Sequence, residues 1–394
     1  MRRPTELLTR RPARRRTPRR AVAPGDPVLL VDLARWFGGT ENRVLHLATS
    51  LRARGYRVHV VCSAQGMLLP RLRDVGVDVL PLAEGRGDPR VLLRLVTILR
   101  RLRPVVVDTH GVHSQFWGML AATLCRTPSR VVTVHSEYGR EQAGLRRGRF
   151  YDFVLQASQR VRARFVAVSQ PVRAYLHELG VDDRDIQLIW NAVPLPDPAD
   201  FGDRDTTRRQ LGVPQDAFVC TTVARLHPSK GHRFFVEALA GLAERRPNLH
   251  WVVVGQGGEE AALRQRVREL GLEDRVHLVG FRDDVTALLH ASDVFVLPSL
   301  AEGLPLVVAE ATLQRTPVLA CAVGGLPHVY DQEEVWLVPP QDPAALAAAV
   351  ERLIDEPDTR AELARRGEQA TRERLLTETM IDETLETYVA AGTG

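Results

Sequence analysis

The chain has 394 residues, 44% apolar and 26% charged, a composition ordinary for a globular protein and a length too great for one core. No apolar run approaches the ~18–20 residues that span a bilayer, and no charged-then-apolar leader opens the chain, so the sequence predicts a cytoplasmic protein. The net charge of +5 belongs to an arm: residues 1–20 hold nine arginines and one glutamate, +8 in all, which leaves −3 for the rest and no basic face for nucleic acid.

In chain order, residues 1–24 read as a basic, proline-broken, disordered arm. Such an arm has two readings, a solvated tail or a contact to anionic lipid, where each basic residue near the surface contributes ~1 kcal/mol. An N-terminal domain over 25–195 follows, with strands expected at Val28–Asp32, Val58–Cys62, Val77–Leu80, Val105–Asp108, Val131–Val134, Phe165–Val168 and Ile186–Ile189. Helical patterns at Glu41–Ala53, Pro89–Leu102 and Pro171–Leu179 separate them. The segment AVPLPDPADFGDRDT has three prolines, four acids and no helical period, so 196–206 reads as a linker. A C-terminal domain over 207–375 repeats the scheme, with strands at Phe218–Val223, Leu249–Val254, Val276–Val279, Val294–Leu297 and Pro317–Ala320. Residues 376–394 end the chain with a helix, Leu376–Ala390, that could pack back on the first domain. Continuous Val/Leu runs joined by helices mean parallel sheets covered on both faces, so the fold class is α/β with two doubly wound domains facing across a cleft.

Ligands of open α/β sheets bind beyond the carboxyl ends of the strands. In the first domain those places hold Gly38, Gly39, His110, His135, Ser169 and Asn191. In the second they hold Arg225 with Lys230, Gly255, Phe281 with Arg282, Glu302, and Gly324 with Gly325. Lys230 is the one lysine among 53 basic side chains, and a compact ammonium differs from a guanidinium where a point charge must reach a crowded anion. With Arg225 on the same loop, in VARLHPSKGH, it suits a pyrophosphate. In SLAEGLPLVVAEA, Pro305 reads as the first helical turn, which puts the Gly303 and Leu304 amides at a helix N-terminus where phosphate oxygens bind. Glu310 then lies about 7.5 Å further along the axis, so Glu310 can meet a ribose while Glu302 stays near the group beyond the phosphates. Gly38 and Gly39 in WFGGTE allow close backbone approach, and His110 is preferred over His135 as the histidine facing the ligand.

Other patterns fail. VVVGQGGEE lacks the third glycine of a dinucleotide fingerprint, with Glu260 in its place, and no GxxxxGK[ST] exists. The four cysteines form no CxxC pair and the DRD at 203–205 has no strand before it, so neither a metal nor a cofactor is implied.

Taken in order, VARLHPSKGH, VVVGQGGEE, VHLVGF, SLAEGLPLVVAEA and PVLACAVGGLP resemble family-4 glycosyltransferases of the GT-B fold, from about residue 27 to 390. FGGTE, FVAVSQPVRAYL and NAVPLP extend the likeness into the first half. The resemblance implies two Rossmann-like domains and a retaining transferase that moves a sugar from a UDP-, GDP- or ADP-sugar to an acceptor hydroxyl, usually without a catalytic metal. Arg225 and Lys230 would then hold the diphosphate, Gly303 and Leu304 would complete its cradle, and Glu302 would bind the transferred sugar. Glu310 would meet the ribose, Phe281 and Arg282 the base, Gly38 and Gly39 the diphosphate, and His110 the sugar. His328 after GGLP, and Val335 with Trp336 before LVPP, depart from the usual pattern. The acceptor stays open among a saccharide, a lipid-linked saccharide and a small molecule, with peripheral membrane contact through VLLRLVTILRRLR and the arginines of 146–164 one reading and plain surface helices the other. Two rivals share the cleft: a GT-B-like sugar-nucleotide epimerase or hydrolase, and a non-catalytic nucleotide-sugar-binding module.

Overall fold

The computed structural model describes residues 19–36, 38–138 and 146–391. Seven parallel strands build the first sheet: β2 (Pro27–Asp32), β3 (Arg57–Ser63), β4 (Asp78–Leu82), β5 (Val106–His110), β6 (Ser129–Val134), β7 (Arg164–Ala167) and β8 (Ile186–Leu188). Their order across the sheet is β4-β3-β2-β5-β6-β7-β8. Six parallel strands build the second: β9 (Phe218–Val223), β10 (Leu249–Val254), β11 (Val276–Gly280), β12 (Val294–Leu297), β13 (Val318–Cys321) and β14 (Trp336–Val338), in the order β11-β10-β9-β12-β13-β14. Every residue of β2, β5, β10 and β12 is buried, because helices cover both faces.

Both sheets grow outward from their first strand in one direction, then resume on its other side. That reversal leaves a crevice at the carboxyl ends of β2 and β5, and another at β9 and β12, where loops diverge to opposite faces. This is the doubly wound architecture read from the apolar runs.

Helices form where local chemistry starts them. Gln170–Glu178 begins at Ser169, whose hydroxyl accepts from the Val172 amide, with Pro171 in its first turn. His232–Leu242 buries Phe235, Val236, Leu239 and Leu242, and Phe235 meets Trp251 of β10 edge to face at 5.0 Å.

Three boundaries differ from expectation. Residues 1–18 of the arm lie outside the described residues, but Arg19–Ala21 is a strand, β1, paired antiparallel with β15 (Val389–Ala391). The final helix therefore runs only over Thr377–Thr387. Within the expected linker, Pro198–Phe201 is a 3-10 turn and a helix, Arg204–Gln210, starts early because Asp203 caps it, accepting from the Thr206 amide at 3.2 Å. Arg204 and Arg208, one turn apart, both reach Asp293, at 2.6 and 2.8 Å, and bind this helix to the second sheet.

The chain crosses between the sheets twice, and the crossings touch. The Val193 amide donates to Leu375 at 2.9 Å and the Thr377 amide to Val193 at 3.0 Å. Helix Thr377–Thr387 then packs on helix Gly39–Ala53. Met380, Ile381 and Tyr388 join the first domain's core, and Arg54 pairs with Glu378 and Asp382. No helix among the described residues is long and apolar enough to cross a membrane.

Candidate active site

Three loops of the second domain meet beyond β9, β12 and β13. The Leu300 amide donates to Ser229 at 2.7 Å, and the Gly325 amide to Gly303 at 2.6 Å. Two glycines permit that closeness. Gly231 has φ +66°, and a Cβ there would sit 1.9 Å from the Pro298 carbonyl oxygen; Gly324 has φ +60°, and its Cβ would sit 2.1 Å from the Glu302 carbonyl oxygen. A side chain at either place would push apart the loops that carry the charged groups.

Lys230 and Glu302 are brought together by this stitching. Lys230 Nζ donates to Glu302 Oε1 at 2.6 Å, and Ser299 Oγ donates to the same oxygen at 2.6 Å. Their side chains are 17% and 8% exposed. Oε1 is thus filled by two donors, while Oε2 has no partner among the described residues and can accept from a sugar hydroxyl. Arg225, just past β9, is exposed, and its guanidinium has no partner among the described residues.

The helix after Glu302 spans Leu306–Leu313, so Pro305 is its N-cap rather than part of the first turn as expected. The extended backbone of Pro305, ψ 104°, delays helix entry by one residue. The Gly303 and Leu304 amides therefore precede the helix start. Glu310, four residues in from Leu306, is half-buried; burial pushes its carboxyl up, and it has no partner among the described residues. An uncompensated carboxylate beside a cleft is fitted to hydroxyl donors. Phe281, just past β11, leaves its ring 72% exposed. Arg282 instead is held by Asp284, Nε to Oδ1 at 2.8 Å and Nη2 to Oδ2 at 2.5 Å.

In the first domain Gly38 and Gly39 open helix Gly39–Ala53 beyond β2. Beneath them lies a cluster of buried carboxylates that the sequence reading passed over. Asp32 ends β2 in register with His110 of β5, accepts from the Ala34 amide at 2.9 Å through Oδ1, and leaves Oδ2 buried without a partner among the described residues. Glu41 is buried too, and burial with the nearby Asp32 pushes its carboxyl up to about 7.

His110 is fully buried, with Nδ1 3.0 Å from His135 Nε2 and Nε2 3.5 Å from Asp108 Oδ2. Asp108 accepts from Tyr388 Oη at 2.7 Å and from Thr133 Oγ1 at 2.9 Å. Burial alone would raise the Asp108 carboxyl, yet His110 and these hydroxyls hold it below its usual range. Burial first, then His110 and Arg43, hold the His135 ring well below its ordinary value, so it is neutral at pH 7. Asp108 carried one signal, an acid inside the apolar run VVVDTH; Tyr388 and Arg43 carried none.

Every residue proposed from sequence thus stands at a strand end or in the loop after it, except Gly39, the first residue of its helix, and Glu310 on its own. Lys230 and Glu302 touch, whereas among the described residues no hydrogen bond or ion pair joins Arg225, Glu310 or His110 to that pair. Among the described residues no group of three or more His, Cys, Asp or Glu could hold a metal ion.

The glycosyltransferase family 4 model matches residues 37–196, and the glycosyl transferases group 1 model matches residues 203–370. A 2-deoxystreptamine glucosyltransferase of Streptomyces kanamyceticus is 32% identical over 310 residues, 73% of this chain and 78% of that protein. The UDP-Gal:alpha-D-GlcNAc-diphosphoundecaprenol alpha-1,3-galactosyltransferase of Escherichia coli is 31% identical over 244 residues, a match spanning 60% of this chain and 63% of that protein, just under two thirds of its length. The crystal structure of Anabaena HepE in complex with UDP has TM-score 0.79 at 24% identity, covering 92% of this chain and 99% of that one, and carries the same fold. The chain belongs to glycosyltransferase family 4, is a glycosyltransferase, and has the GT-B fold.

Proposed function

We propose that this family-4 glycosyltransferase is a retaining enzyme that transfers a glycosyl group from a UDP-sugar to a hydroxyl of a saccharide, lipid-linked or small polyhydroxylated acceptor, in polysaccharide, glycolipid or glycoside synthesis. The observation that carries the reading is the Lys230–Glu302 pair at 2.6 Å with Arg225, unpaired among the described residues, on the same loop as Lys230. Cations for a leaving diphosphate and a carboxylate for the sugar it leaves are held in one place.

Arg225 and Lys230 take the diphosphate, with the Gly303 and Leu304 amides below it and the Gly38–Gly39 backbone facing it from the first domain. Phe281 stacks on the base and Arg282 borders it, while Glu310 accepts from the ribose hydroxyls. Glu302 accepts from the transferred sugar through Oε2, and His110, fully buried at the end of β5, backs the first-domain wall on the sugar's other side. As the C1–O bond to the diphosphate breaks, the acceptor oxygen bonds C1 from the same face, and its proton passes to the departing phosphate oxygen. The anomeric configuration is then that of the donor. Positive charge fixed before the reaction stabilises the departing diphosphate without reorganisation.

UDP is favoured by two resemblances, the E. coli relative named for UDP-Gal and the Anabaena structure in complex with UDP. The same E. coli name supports a lipid-linked acceptor, and the Streptomyces name a small aminocyclitol. For a lipid-linked acceptor, exposed Leu93, at 68%, on the arginine-rich helix Arg90–Leu102 supports peripheral contact with an anionic membrane.

The test is a thermal-shift series with UDP, GDP and ADP and their sugars, followed by incubation of the stabilising donor with acceptors. A ligand at ~100 times its Kd adds ~2.7 kcal/mol of stability. UDP-sugar stabilisation and a product of unchanged anomeric configuration by NMR are expected. Inverted product refutes retention, and epimerised donor formed without acceptor makes the chain an epimerase.

A further inference from the structure

The transferase reading puts His110 in the wall behind the reacting sugar, yet nothing in it uses the buried chain of polar groups around that ring. Tyr388 lies just past the final helix, 280 residues from the aspartate it bonds. It is fully buried, as are Asp108 and His110. A hydroxyl carried so far to meet a carboxylate in another domain's sheet is not needed to fill space, since a phenyl ring packs equally well.

We propose that Tyr388 is a positioning residue: its hydroxyl, with that of Thr133, orients the Asp108 carboxylate, which fixes the proton of His110 on Nε2 and so sets the tautomer of His110 and of its neighbour His135. The inference rests on the transferase reading for its consequence in rate but on geometry alone for its structural claim.

The tautomers follow stepwise. Asp108 Oδ1 accepts from Thr133 and Oδ2 from Tyr388, so the carboxylate plane is fixed by two donors from different elements. Oδ2 lies 3.5 Å from His110 Nε2, which has no hydrogen-bond partner among the described residues, so it is the carboxylate's charge rather than a hydrogen bond that favours a proton there. His110 Nδ1 is then a bare lone pair facing His135 Nε2 at 3.0 Å, and His135 must supply the proton of that contact. His135, neutral in this setting, is left with an unprotonated Nδ1, and that atom has no partner among the described residues. The order Tyr388, Asp108, His110, His135 therefore ends in an open acceptor nitrogen.

The same cluster touches both crossings between the domains. Arg43 is 3% exposed, and its Nη1 donates to the Ile189 and Trp190 carbonyls at 3.2 and 3.1 Å and to Asn191 Oδ1 at 3.0 Å, all on the first crossing. Tyr388 comes from the second. Histidine tautomers are thereby set only when the returning C-terminal segment is docked on the first domain.

The experiment compares the full chain with Tyr388→Phe, which keeps the ring and removes the hydroxyl, and with Ile381→Val, which trims packing of the same helix by one methylene. Imidazole ¹⁵N NMR, with rings assigned through His110→Gln and His135→Gln, reads the tautomers directly. The native rings are expected as Nε2–H forms, and Tyr388→Phe as a mixture at both, while Ile381→Val matches the native spectrum. Under the transferase reading, Tyr388→Phe lowers kcat about tenfold, the rate equivalent of one hydrogen bond, with donor KM within twofold. Should Tyr388→Phe not fold, Thr133→Val strips the other hydroxyl from the same carboxylate and carries the same expectation. Unchanged ring nitrogens in Tyr388→Phe, or equal changes in Ile381→Val, overturn the proposal. Since the spectra need no substrate, a chain without transferase activity still decides it.

Discussion

Lys230→Met isolates the charge at the centre of the site. The ammonium stands 2.6 Å from Glu302 Oε1, and at an effective dielectric of about 20 that separation corresponds to about 6 kcal/mol of attraction, most of it offset by desolvation of the two ions. Removing the ammonium leaves a carboxylate only 8% exposed, with Ser299 as its remaining partner. Stranding a buried charge costs about 3–5 kcal/mol, and the surviving hydroxyl places this case near 3. For a domain of this size 1 kcal/mol moves Tm by about 2–4 °C, so circular dichroism should find the variant melting about 6–12 °C lower. Glu302→Gln should cost about 1 kcal/mol, because the freed ammonium, 17% exposed, can turn toward water. Under the proposed function, Lys230→Met also loses a preorganised partner of the leaving group, worth ~10²–10³-fold in kcat at saturating donor, read as released UDP. A variant with native melting and near-native turnover would refute both the pairing and its role.

Other expectations follow from single observations. Gly231→Ala places a Cβ 1.9 Å from the Pro298 oxygen at φ +66°, and is expected to cost at least about 3 kcal/mol; a melting point within a degree of native would contradict the close approach. Phe281→Ala removes an exposed ring whose stacking on a base is worth about 1–3 kcal/mol, so calorimetry should show UDP binding weakened roughly 5- to 150-fold, and an unchanged Kd would remove Phe281 from the base site. Glu41 holds its proton up to about 7 when folded, against 4.5 for the same carboxyl in the unfolded chain. Its contribution to stability is therefore complete below about pH 4.5 and is lost as pH rises through 7. Glu41→Gln, which cannot ionise, should gain about 2–3 kcal/mol relative to the native chain between pH 5 and pH 8; denaturant midpoints that run parallel across that range would rule this out.

The parallel sheets were legible because their signal is local. Val/Leu runs such as Leu249–Val254 must be covered on both faces, and β9, β10 and β12 lie where the runs predicted them. The three residues of β14 follow the polar stretch DQEE, and so short a run carries too little pattern to be read. Helix Arg204–Gln210 was hidden by the prolines before it, although Asp203 is an ordinary cap. Pro305 misled by one residue because proline suits both the first turn and the extended residue ahead of it.

At the site the limit is distance along the chain. A strand end announces that its loop can carry ligand groups, which is why Arg225, Lys230 and Glu302 could be named, but not that Lys230 and Glu302 would share a proton's reach across 72 residues. The glycines explain the difference. Gly324 stood out only as a strand-end glycine and Gly231 only as the residue after Lys230, whereas their task is to admit the Glu302 and Pro298 backbones within a Cβ's radius, a constraint set by the partner loop. Asp108 shows the converse. An acid inside a strand is costly unless paired, so VVVDTH required a partner, yet any donor in the chain could have met it. Only the docking of the final helix selects Tyr388. Local pattern thus announces which side chains need company, and the choice of companion is made by the strand order and the double crossing, which no window of sequence contains.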